Sequence, residues 1–221
     1  METRSHFHAE LDALKGRVIE LIGHVETARR EAVTAYVNHD GEIARRVVDG
    51  DKLVNKQTCD LDESCLRLLA LEQPVALDLR RIVGYARVGI NLERLGDEAV
   101  GVAEGALSGP GLPGECDTAL EALAEHTGRM FHLAGRAFAE DSLEEALEVC
   151  RLDEKGRELA VESMRCITEA LTQCQSSPET AVRAILATRC FERMGGYAAN
   201  VAETVVFILK GATISQQCQP R

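Results

Sequence analysis

Tryptophan is absent, and only three tyrosines and five phenylalanines occur in 221 residues. A core must therefore be built from Leu, Ala and Val, which suits close helix packing better than a sheet sandwich. Five prolines leave room for a few long helices. No apolar run approaches the ~18 residues of a membrane span. The opening Met1-Glu2-Thr3-Arg4-Ser5-His6 leads into charged amphipathic sequence with no signal-peptide pattern. A cytoplasmic location is expected. The net charge of −11 argues against nucleic-acid binding and permits cations and basic protein partners.

Other absences narrow the chemistry. None of the eight cysteines forms a Cys-x-x-Cys pair, so they are expected as small buried or half-buried thiols of a reducing compartment. There is no phosphate-binding Gly-x-x-x-x-Gly-Lys-Ser/Thr loop and no Gly-x-Ser-x-Gly elbow. No Glu-x-x-His occurs, which counts against a ferritin-like di-iron oxidase. His24 stands alone on a helical stretch and reads as structural.

What is present is a repeat. Residues 91–104 read NLERLGDEAVGVAE, and residues 190–203 read CFERMGGYAANVAE, with seven of fourteen positions identical. One fixed offset of 99 residues implies two copies of one unit. Apolar residues recur at spacings of three and four throughout. Leu11, Leu14, Val18, Leu21, Val25, Ala28, Ala32 and Ala35 predict a helix over 5–38. Val47, Val54, Leu61, Cys65 and Leu68 predict a second over 41–72, ended by Gln73-Pro74. A third spans 75–107 on Val88, Leu92, Leu95, Ala99, Val102 and Ala106.

The only concentrated Gly/Pro stretch follows, and a linker is expected at 109–114. The second half repeats the plan over 115–139, 142–174 and 177–210, with Gly211 as the stop. The fold class is all-α: six antiparallel helices in two tandem three-helix bundles. The first unit takes residues 1–108, the second 115–212, and 213–221 form a flexible tail.

Glu93 and Asp97 are four apart and share a helix face beside the core stripe. The preceding helix carries Asp51 and Asn55. Asp51 lies 23 residues before Pro74 and Asp97 lies 23 after it; for Asn55 and Glu93 the distance is 19. Equal distances from one turn place the four side chains at one height on facing helices. Spacing alone leaves two readings. Either the four oxygen donors converge on a hard or intermediate cation, or they are solvated carboxylates paired with Arg94 or Lys52. In the second half Glu192 persists, but Gly196 replaces the aspartate. Asp153 and Arg157 stand where Asp51 and Asn55 would be expected, so metal binding there is expected to be weak or absent.

The motif series resembles the PhoU family of regulators of bacterial phosphate uptake. It comprises Val48-Asp49-Gly50-Asp51-Lys52-Leu53-Val54-Asn55, Gln73-Pro74 with Asp78-Leu79-Arg80, Leu92-Glu93-Arg94-Leu95-Gly96-Asp97, Phe191-Glu192-Arg193-Met194-Gly195 and Phe207-Ile208-Leu209-Lys210-Gly211. The resemblance implies two three-helix bundles related by a pseudo-twofold, with metal grooves at the Glu-x-x-x-Asp motifs. Carried over by position, Glu93, Asp97, Asp51 and Asn55 form the first metal site, while Glu192 and Asp153 remain of the second. The ion would be iron, zinc, manganese or magnesium.

The resemblance further implies a non-enzymatic negative regulator, expected as a homodimer and peripheral to the membrane through its partners. Those partners would be a phosphate-sensing histidine kinase and the ATPase of the phosphate ABC transporter. A metal-dependent enzyme or metal store on a helical bundle, or a divergent member acting on another partner, stay as alternatives.

Overall fold

The computed structural model describes residues 2–106 and 114–211. These form six helices: α1 (Glu2–Asn38), α2 (Gly41–Glu72), α3 (Ala76–Ala106), α4 (Gly114–Ala139), α5 (Leu143–Thr172) and α6 (Pro178–Lys210). The expected tail lies outside the described residues. So does the expected linker, apart from Gly114, which opens α4.

The helix ends follow from local chemistry. The Asp40 carboxylate accepts hydrogen bonds from the backbone N–H groups of Glu42 and Ile43 at 2.9 and 3.0 Å. Ser142 accepts from Glu145 N–H at the start of α5, and Ser177 from Thr180 N–H at the start of α6. Each such cap contributes about 1 kcal/mol by satisfying a helix-end donor. Gly211, at φ 72°, closes α6 in the left-handed conformation that glycine adopts without penalty.

The predicted stripes point inward. Val18, Val25, Val88, Leu92, Leu95 and Ala99 are fully buried, as are Leu123, Met130, Met194 and Val201. Burying each Leu or Val side chain contributes roughly 1.5–3 kcal/mol. Ala28 alone of the first-helix stripe is only partly covered. One continuous core draws on all six helices. A small second cluster, Cys116, Ile167, Ala170, Ala181 and Ala184, lies apart from it where α4 and α6 begin and α5 ends.

Among the described residues, α2 packs only on α1 and α3, and α5 only on α4 and α6. The halves join through α3 against α6 and α1 against α4. Helices α3 and α6 run antiparallel: Glu98 meets Arg193, Gly101 meets Cys190, and Asn91 meets Asn200. Each of these pairs of numbers sums to 291. Moving Gly101 forward and Cys190 back by the repeat offset of 99 exchanges that contact for the one between Asn200 and Asn91. The pseudo-twofold therefore passes between Gly96 and Gly195, the equivalent glycines of the two motif copies. The repeat motif is the crossing point of the molecule.

Cys65, Cys150 and Cys190 are buried or half-buried thiols as expected, Cys59 and Cys174 are exposed, and one pair departs further. Cys116 and Cys166, 50 residues apart in sequence, are joined as a disulfide between α4 and α5, with Cα atoms 5.5 Å apart. Sequence spacing reveals only neighbours along the chain. These two meet because two antiparallel helices return them to the same end of the bundle.

Candidate metal centre

The groove is built from α2 and α3. Val54 and Leu61 anchor one face of α2 in the core, and Leu92, Leu95 and Ala99 anchor α3. Asp51 and Asn55 follow at the edge of the α2 stripe, with Glu93 and Asp97 at the edge of the α3 stripe. Gly96 lets the helices approach. A Cβ there would stand 3.2 Å from Val54 Cγ1 and 3.7 Å from Asp51 Oδ1.

The Asn55 amide donates to Asp51 Oδ2 at 2.7 Å. Asp51 Oδ1 and Asn55 Oδ1 are buried and have no hydrogen-bond partner. Leaving buried acceptors unsatisfied costs about 1–3 kcal/mol each. Burial raises the pKa of Glu93, and the charges of Asp97 and Asp51 raise it further. Burial likewise raises that of Asp97, with Asp51 adding to the effect. Asp51 thus acts electrostatically on both carboxylates of the motif.

No lysine or arginine among the described residues forms an ion pair with Asp51, Glu93 or Asp97; Arg94 and Arg193 act on this groove only at longer range. No three His, Cys, Asp or Glu side chains among the described residues already converge as a closed metal cage. The donor set nevertheless fits a hard cation: two orphaned buried oxygens on α2 and two destabilised carboxylates on α3. Asp97 is exposed and Glu93 half-buried, so those two can move onto an ion.

The second groove is different in kind. Glu192 is held by Arg189 at 2.6 Å on its own helix. Asp153 is held by Arg157 at 3.3 Å, and Arg157 also reaches Glu154 at 2.8 Å. The charge of Asp153 acts on Glu203, whose pKa is raised mainly by burial. A Cβ on Gly196 would meet nothing within 4 Å. Each carboxylate already has a cation. These residues do not fit a metal ion as they stand.

A further cluster escaped the sequence reading. Glu98 is only 5 % exposed and pairs with Arg193 across the repeat crossing at 2.9 Å. Arg193 also donates to the Tyr197 hydroxyl at 3.0 Å, and Cys190 hydrogen-bonds Glu98. Burial pushes the Cys190 thiol up to about 12, with the Glu98 charge adding to it. The missed signal was periodicity: Glu98 lies three after Leu95 and four before Val102, a core position occupied by a charge.

Comparison with known proteins settles the family. The PhoU domain matches residues 18–106 and again 120–205. The chain belongs to the PhoU family. It is 32 % identical over 206 residues to the phosphate-specific transport system accessory protein PhoU of Escherichia coli K12, covering 93 % of this chain and 86 % of that protein. Against the Serratia marcescens protein of the same name, identity is 33 % over 215 residues, with 94 % and 86 % covered. The crystal structure of PhoU from Pseudomonas aeruginosa superposes with a TM-score of 0.88 at 30 % identity, covering 93 % of this chain and all of that one. The Streptococcus pneumoniae PhoU structure, at 24 % identity and TM-score 0.87, shares the fold. The chain therefore carries the PhoU domain twice, and the pseudo-twofold between Gly96 and Gly195 relates the two copies.

Proposed function

We propose that this PhoU-family chain is a non-enzymatic negative regulator of phosphate uptake and phosphate-starvation signalling. It acts by contact, linking the phosphate ABC transporter ATPase to a phosphate-sensing histidine kinase on the cytoplasmic side as a homodimer. The observation that carries the reading is near-full-length likeness to several proteins named as accessory to the phosphate-specific transport system. An accessory name supports a role in control over one in catalysis. No helix among the described residues is long and apolar enough to cross a membrane, which is consistent with recruitment through partners.

The first groove is the candidate metal site, with Asp51 and Asn55 as the fixed wall and Glu93 and Asp97 as the movable one. A divalent ion there would satisfy the buried oxygens and neutralise three mutually repelling carboxylates. Its role is to hold α2 on α3 and so define the surface that partners meet. The test is co-purification with the transporter ATPase and the kinase in phosphate-rich and phosphate-poor medium. Capture of both, altered by phosphate, is expected; capture of neither overturns the regulatory reading. Elemental analysis of the same preparation reads the groove separately.

A further inference from the structure

We propose that Cys116 and Cys166 form a reversible thiol–disulfide latch: closed, it fastens the start of α4 to α5, and reduced, it lets that corner open while the main core stays folded. Three observations carry this. The two Cα atoms stand 5.5 Å apart, inside the range that bridges without backbone movement. The bond lies in the small cluster with Ile167, Ala170, Ala181 and Ala184, separate from the continuous core. Three alanines bury little apolar surface, so that corner has few contacts of its own to hold it. The first unit, moreover, closes the matching corner without a bond. Its cap Asp40 precedes the cap Ser142 by 102 residues, and the same offset carries Cys116 back to Leu14 and Cys166 to Ser64. Leu14 is buried in the main core there, alongside Leu11, Cys65 and Leu68. The cross-link in the second unit stands where a buried Leu14, and a Ser64 that accepts a hydrogen bond from Arg17 at 2.7 Å, stand in the first.

The chemistry is exchange with small thiols. An external thiolate attacks the sulfur of Cys166, the half-buried residue of the pair; Cys116 is buried. A mixed disulfide forms on Cys166, and the Cys116 thiolate leaves and takes a proton from water. A second external thiolate attacks the outer sulfur of the mixed disulfide. Cys166 leaves as thiolate, and the two external thiols depart joined as their own disulfide. Two electrons pass from the external thiols to the protein; closure is the reverse, with a small-molecule disulfide as oxidant. The departing Cys116 thiolate would sit among apolar side chains, so opening of the α4 start accompanies reduction.

The test uses the full wild-type chain in glutathione buffers of increasing oxidised-to-reduced ratio, quenched with acid, alkylated and mapped by mass spectrometry. The bonded fraction of Cys116–Cys166 is expected to rise from mostly open to mostly closed across the series. Amide exchange over 114–119 is expected to be roughly tenfold or more faster in the open form, while the buried amides of α3 are unaffected. Cys116→Ala with Cys166→Ala should exchange like the open form in every buffer, and Cys59→Ser with Cys174→Ser should behave like wild type. A bond that stays closed, or never forms, across the whole series overturns reversibility. Unchanged exchange at the α4 start on opening overturns the latch. The wild-type series decides both points even where a variant fails to fold.

Discussion

The two acidic grooves differ in where their arginines are. In the first copy Glu93, Asp97 and Asp51 face one another with no cation in ion-pair reach, and two oxygens on α2 are buried and unpartnered. In the second, Glu192 and Asp153 are each held by an arginine on the same helix, and glycine replaces the aspartate. The same motif has been left frustrated on one side and satisfied on the other. The metal site is proposed on that contrast: a groove that costs stability would gain from a ligand, whereas a groove that supplies its own counter-charge would not.

That contrast can be broken most forcefully with metal. Removing divalent ions is expected to destabilise the protein by about 2.7 kcal/mol relative to a concentration of one hundred times Kd. Asp51→Ala with Asp97→Ala should abolish the response in calorimetry and elemental analysis, whereas Asp153→Ala with Glu192→Ala should leave it intact. Equal loss from both pairs would dissolve the distinction between the grooves.

Next comes the crossing. Arg193→Met strands the buried Glu98 carboxylate and is expected to cost about 2 kcal/mol in denaturant melts, a figure discounted because Arg193 is 56 % exposed. Adding Glu98→Gln should recover most of it. No recovery would mean that the arginine matters through packing.

A smaller effect separates the two glycines. Gly196→Ala meets open space and should gain up to about 1 kcal/mol from helix propensity. Gly96→Ala makes the same helix gain but pushes on Val54 and crowds Asp51, so it should be neutral or destabilising and weaken metal binding. Matching melts for the two variants would remove Gly96 from its role in helix approach.

The smallest effect is on pH dependence. Glu93 and Asp97 have raised pKa values in the folded state, chiefly from burial. Folding therefore takes up protons, and their contribution to stability rises as pH falls from neutral through the raised values, levelling off below the ordinary carboxylate range. Glu93→Gln with Asp97→Asn should flatten that slope in metal-free thermal melts between neutral and mildly acidic pH. An unaltered slope would assign it to Glu98 and Glu203, whose pKa values are also raised.

Much of this was legible in the sequence because helices announce themselves locally. Stripes at spacings of three and four announced the first three helices, the repeat carried the plan into the second half, and Gln73-Pro74 and Gly211 marked two of the ends. The first groove was legible because α2 and α3 share one short turn, so height could be counted from Pro74. The second was less so, because five residues, Gln173 to Ser177, separate α5 from α6 where three separate α2 from α3. Counting from that turn no longer fixes which side chains meet. Neither the Cys116–Cys166 bond nor the Glu98–Arg193 pair could be counted at all. Both depend on how distant helices are brought together, which no local period encodes.

The pseudo-twofold between Gly96 and Gly195 has one more consequence. An interface in which residue i meets j, and the equivalent of j meets the equivalent of i, has the geometry of a symmetric dimer. Here both halves lie on one chain, so their meeting no longer depends on concentration. Two identical subunits must change both sides of their axis at once. A fused pair is free of that constraint: Glu98 can face Arg193 while its counterpart position holds Tyr197, and one groove can lose its aspartate while the other keeps it. A symmetric contact carried on one chain can thus present two surfaces of different chemistry.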